Sequence, residues 1–198
     1  MVEAGGSIKK AECEELAIST FLLLLHKRIV VAHCQSAMKR SLDANAWIDK
    51  LPPEKFPSAI REVFDFLCRD YGFRDPVTEK TSLTLRLSYR AHRVAIEISV
   101  DFRDRAVEVA LVRLADGQRP DGWAIDSQGR QFMVRISEAA RFRKIPNPHM
   151  TISADASPQS ILRFWLEAWA EQLRTHFADI LADSDTLFYD LNKATQRP

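Results

Sequence analysis

The chain has 198 residues, enough for one domain with a sizeable core, and its 46% hydrophobic and 28% charged content argues against intrinsic disorder. A net charge of +1 gives no global attraction for nucleic acid or membrane, although the balance is +4 over residues 86–144 and −3 over residues 145–198. Three cysteines at irregular spacing, Cys13, Cys34 and Cys68, exclude a disulfide framework and suit a reducing cytoplasm.

Residues 1–37 stand apart. The apolar runs Phe21-Leu22-Leu23-Leu24-Leu25 and Ile29-Val30-Val31-Ala32 are split by His26-Lys27-Arg28, too short and too interrupted for a membrane span. Glu12, Glu14 and Glu15 lie where a signal peptide would be basic. Two readings stand: a docking helix, or a mis-assigned start with Met38-Lys39-Arg40-Ser41 as the true N-terminus. Residues 38–198 are then a single domain.

Pro52-Pro53 breaks the chain after Trp47-Ile48. Phe56, Ile60, Val63, Phe64, Leu67, Cys68 and Tyr71 form one helical stripe, and Gly72 suits its C-terminus. Asp75-Pro76 reads as the loop into a sheet. Three runs then alternate with period two: Leu83, Leu85, Leu87 and Tyr89; Val94, Ile96, Ile98, Val100 and Phe102; Val107, Val109 and Leu111. Their short polar connections predict an antiparallel meander with one apolar face and one wet face. A loop follows at residues 115–122, and residues 123–126 and 132–136 read as a further hairpin around Ser127-Gln128-Gly129-Arg130. Residues 137–142 suit one or two helical turns.

Ser157-Pro158 opens the last helix, with Ile161, Leu162, Trp165, Leu166, Trp169, Leu173, Phe177, Ile180 and Leu181 at helical spacing. This predicts a helix of about 25 residues, roughly 37 Å long, followed by a short capping turn at Phe188, Tyr189 and Leu191. The expected fold class is therefore α+β: an antiparallel β-meander of about five strands covered by an N-terminal helix and a long C-terminal helix.

Catalytic signatures are missing. There is no Gly-rich phosphate loop, no nucleophile elbow and no zinc-ligand spacing, and the five histidines are scattered. Adjacent His33 and Cys34 point about 100° apart on a helix and make a poor couple. Glu97 and Asp101 share a strand face about 13 Å apart, too far for a carboxylate dyad. No catalytic, cofactor-binding or metal-binding residue is assigned, and the chain is read as non-enzymatic. Two clusters suit a protein partner: Asp101, Arg103, Asp104 and Arg105 at a hairpin tip, and Arg119, Asp121 and Trp123 before the second hairpin, where Trp beside Arg makes a typical interface anchor. Solvated local ion pairs and a core-facing Trp123 are the bland alternatives. Trp165 and Trp169 read as core, and Arg141, Phe142, Arg143 and Lys144 as a small basic patch insufficient to imply nucleic acid.

Phe64, Leu67, Tyr71-Gly72-Phe73, Leu87-Ser88-Tyr89, Val94 to Ile98, Asp101, Arg103, Asp104 and Val107-Glu108-Val109 form a pattern. It continues through Trp169-Ala170-Glu171, Leu173-Arg174, His176, Asp179-Ile180-Leu181, Asp183 and Phe188. This pattern resembles a loose group of uncharacterised small bacterial α+β proteins, some of them immunity-like and encoded beside polymorphic toxins. Ala182 stands where the group usually has glycine. The resemblance covers about two thirds of the chain and rests on packing residues, so it implies a fold and carries over no functional residue. The function expected is a protein-binding module, of the immunity or inhibitor kind. A structural subunit of a larger bacterial or phage assembly and a nucleic-acid-binding protein remain as alternatives.

Overall fold

A computed structural model of the protein describes residues 45–146 and 155–195. The readings of residues 1–37 and of Cys13 and Cys34 lie outside the described residues. A 3₁₀ turn at Ile48–Lys50 precedes helix α1 (Lys55–Tyr71). Strands β1 (Arg74–Lys80), β2 (Thr84–Arg90), β3 (Val94–Asp101), β4 (Ala106–Arg113) and β5 (Met133–Arg135) follow, then α2 (Ile136–Phe142), α3 (Pro158–His176), α4 (Ala178–Leu181) and α5 (Thr186–Thr195).

The five strands form one antiparallel sheet in chain order. The fold is the expected α+β meander with helices before and after the sheet, but its strands are not all those predicted. Residues 74–80, where Asp75-Pro76 reads as a loop, form the first strand. Residues 123–126 form none: they make an isolated bridge, Ile125–Gln131, and the Ala124 carbonyl accepts from the Phe132 and Met133 N–H groups at 2.9 and 3.3 Å without a ladder forming.

Register places Leu85, Leu87 and Tyr89 opposite Val100, Ile98 and Ile96, and these opposite Val107, Val109 and Leu111. All of these are buried except half-buried Val107, and they meet Phe56, Ile60, Phe64 and Leu67 of α1 and Leu162, Leu166, Ala170 and Leu173 of α3. Period two on the strands and spacing of three to four on the helices thus converge on one core. Burying each of these large side chains is worth about 1.5–3 kcal/mol before entropy is counted.

Gly72 ends α1 at φ 71°, and the Phe73 N–H donates back to the Leu67 carbonyl at 3.0 Å. Ser157 caps α3 by accepting from the Ser160 N–H at 3.1 Å, with Pro158 in the first turn, as its sequence predicts. The single helix predicted to reach Leu181 is instead broken. Phe177 leaves helical geometry at φ −126° and ψ 36°, and is buried. Arg143 donates to the His176 carbonyl at 2.9 Å, stacks its guanidinium 5.0 Å from the Phe177 ring, and pairs with Asp179. A carbonyl near the helix end thus finds a cation from outside the helix. The predicted capping turn is a helix, α5, burying Leu187, Phe188 and Leu191. Asp183, at φ 61°, accepts from the Arg93 and Val94 N–H groups at 2.6 and 3.0 Å and fastens the chain after α4 to the β2–β3 turn.

The face expected to be wet is partly covered. Ser88 and Glu97 lie on it with 2% and 4% exposure. Ala95, Val112, Leu114 and Phe132 make a second small buried cluster there. The cover is the loop joining β4 to β5, residues 114–132.

Candidate functional site

That loop is built by four local devices. The first is a two-residue turn. Ala115 and Gln118 exchange N–H···O bonds of 2.8 and 2.9 Å around Asp116 and Gly117, both with positive φ (51° and 74°), the primed turn that Asp-Gly favours.

The second is Arg119. Its Nε lies 3.3 Å from a Glu97 carboxylate oxygen, a charge contact whose N–H is not aligned for a hydrogen bond. Other guanidinium nitrogens donate to the Gly122 and Trp123 carbonyls at 3.2 and 3.3 Å, and the group stacks 5.2 Å from the centre of the Phe132 ring. Arg86 approaches Glu97 from the other side at 3.6 Å and also pairs with Glu79. A buried carboxylate between two guanidiniums is a compensated charge, and either cation alone would leave it undercompensated.

The third device is Gly122, at φ 111°. A Cβ there would stand 2.6 Å from the Ile125 carbonyl oxygen, so the turn requires glycine. The fourth is Asp126, which accepts from the Gln128 and Arg130 N–H groups and from Arg130 Nε, all at 2.9 Å. The Arg130 N–H bond leads the causes that hold this carboxyl below its usual range. Beyond the loop, the Asn192 side chain of α5 accepts from the Gln131 N–H at 2.7 Å and donates to the Gln131 carbonyl at 3.0 Å.

Between these fastenings stand Trp123 and Ile125, 78% and 57% exposed. Trp123 therefore faces solvent, not the core, and Arg119 is turned inward as a staple. Asp121 is exposed on the same loop.

The other predicted cluster lies elsewhere. Asp101 accepts from the Arg103 and Asp104 N–H groups, each at 2.9 Å, and so shapes the β3–β4 turn. Arg103 pairs with Asp104 at 3.0 Å and Arg105 with Asp49 at 2.7 Å. The Arg103 hydrogen bond lowers the pKa of the Asp104 carboxyl. This turn and the 114–132 loop sit at opposite ends of β4, whose 8 residues span about 23 Å. The two clusters do not form one surface.

Glu97 and Arg86, which complete the Arg119 cluster, escaped sequence reasoning because the cluster joins neighbouring strands to a distant loop through Glu97. Trp165 and Trp169 are half-buried against the core with ring centres 6.3 Å apart. Arg143 of the small basic patch is committed to Asp179. Among the described residues no three His, Cys, Asp or Glu side chains gather as metal ligands, and no helix is long and apolar enough to cross a membrane. Comparisons with protein-family models, curated proteins and solved structures return no match.

Proposed function

We propose that the protein is a binding module for another protein, and that the 114–132 loop carries its contact surface. The supporting observation is the pair Trp123 and Ile125, held out to solvent on a loop stapled at Arg119, Asp126 and Asn192. Tryptophan and arginine dominate interface energetics, and an anchor on a fixed backbone loses little conformational freedom on binding. Asp121 supplies a charged rim beside the anchor, where it steers encounter more than it adds affinity. In its finer form the reading is a bacterial, cytoplasmic inhibitor of the immunity kind, which blocks a partner by covering it.

The test is capture from source-cell lysate with the full chain and with Trp123→Ala as parallel baits. A stoichiometric partner held by the first and lost by the second, at equal melting temperature, supports the reading. A partner retained equally by both, or no partner at all, refutes it. The finer form also fails if the neighbouring gene product is harmless to cells lacking this protein.

A further inference from the structure

On the other side of the sheet, between α1 and β1, lies a hollow of about 400 Å³ lined by Arg61, Asp65, Cys68, Asp75, Pro76 and Tyr89. Arg61, Asp65 and Cys68 follow one another at spacings of four and three along α1, so one helix face supplies a cation, an anion and a thiol. Tyr89 reaches the hollow from the inner face of β2 and is 1% exposed. Its hydroxyl has no hydrogen-bond partner. A buried hydroxyl left unpaired costs stability and needs a reason.

We propose that this hollow binds a small zwitterion of the amino-acid class. The ammonium group sits against the Asp65 and Asp75 carboxylates. The ligand carboxylate accepts from the Tyr89 hydroxyl and from Arg61. Arg61 gives one hydrogen bond, of 2.9 Å, to Thr78 and keeps the rest of its donor fork for a carboxylate. Arg61 is itself exposed, and in this proposal it moves aside to admit the ligand to the buried tyrosine hydroxyl. Burial, then the neighbouring Asp75 charge, pushes the Cys68 thiol up, so Cys68 lines the hollow as a neutral group and not as a nucleophile. The volume suits a single small molecule and excludes a folded partner.

The experiment is a nitrogen-15 NMR titration of the full chain with L-alanine, L-serine, L-lysine and L-glutamate, with acetate and ethylamine as half-ligands. At least one amino acid is expected to saturate in the millimolar range, with shifts at Arg61, Asp65, Cys68 and Asp75. Each half-ligand binds at least about tenfold more weakly. Tyr89→Phe weakens the amino acid by about five- to tenfold, the worth of one hydrogen bond, while its melting temperature in the absence of ligand stays level or rises because the unpaired hydroxyl is gone. Absence of saturable binding by all four amino acids overturns the proposal. So does equal binding by Tyr89→Phe, or a half-ligand that binds as well as the whole.

Discussion

Arg119→Ala tests how the exposed loop is held. Glu97 is 4% exposed and faces Arg119 at 3.3 Å and Arg86 at 3.6 Å. Removing one partner of a buried ion pair costs about 3–5 kcal/mol, because the remaining charge stays buried. Arg86 still compensates Glu97, which places the loss near the lower end, about 3 kcal/mol. For a domain of this size that is a fall of roughly 6–12 °C in melting temperature. The double variant Arg119→Met with Glu97→Gln removes both charges and keeps their bulk, so it should recover much of the loss. Urea denaturation followed by circular dichroism, with Arg119→Met, Glu97→Gln and the double variant in one cycle, measures the coupling. If Arg119→Ala falls within about 0.5 kcal/mol of the parent, the range of an ordinary surface change, Arg119 is not a staple and the loop is held by its other contacts.

Two further outcomes follow from the geometry. Gly122→Ala adds a Cβ 2.6 Å from the Ile125 carbonyl oxygen at φ 111°, so it should destabilise by more than about 1 kcal/mol in the same denaturation assay; a neutral result would mean that the turn relaxes freely. Asp179 is pushed up by burial, but the Arg143 hydrogen bond and charge outweigh this and leave its carboxyl below the usual range. A lowered folded value contributes stability that is fully present above the unfolded carboxylate pKa of about 3.9 and is lost as pH falls through the folded value. The difference in urea midpoint between the parent and Asp179→Asn should therefore be full at neutral pH and shrink below about pH 4; a difference that does not change with pH would refute the pairing.

The central strands were legible because each buries one face, which writes period two into the sequence. β1 was not. Its residues Arg74 to Lys80 lie at the sheet edge, and all but half-buried Pro76 are exposed, so burial imposes no alternation on them. Trp123 and Ile125 show the opposite failure: they alternate with the smaller Ala124 and the charged Asp126 as a strand would, yet the loop turns both outward. The apolar stripe of α3 runs on through Phe177, Ile180 and Leu181 because α4 faces the same core. What ends α3 is Arg143, whose side chain bonds the His176 carbonyl from 33 residues away, a contact that local periodicity cannot register. The burial of Glu97 was hidden for a similar reason. Ion pairs formed across a loop leave no spacing signal, and a glutamate alternating with isoleucines reads as solvent-facing.

The Asn192 and Asp183 fastenings also bear on when the exposed loop takes shape during synthesis. Strands β1 to β4 pair neighbouring segments across short turns, so their contacts are available early. The Gln131–Asn192 and Arg93–Asp183 bonds span 61 and 90 residues. A ribosome emitting the chain from its N-terminus delivers these anchors late. Trp123 then sits on a half-fastened loop until α5, whose Asn192 is made 61 residues after Gln131, has emerged and docked.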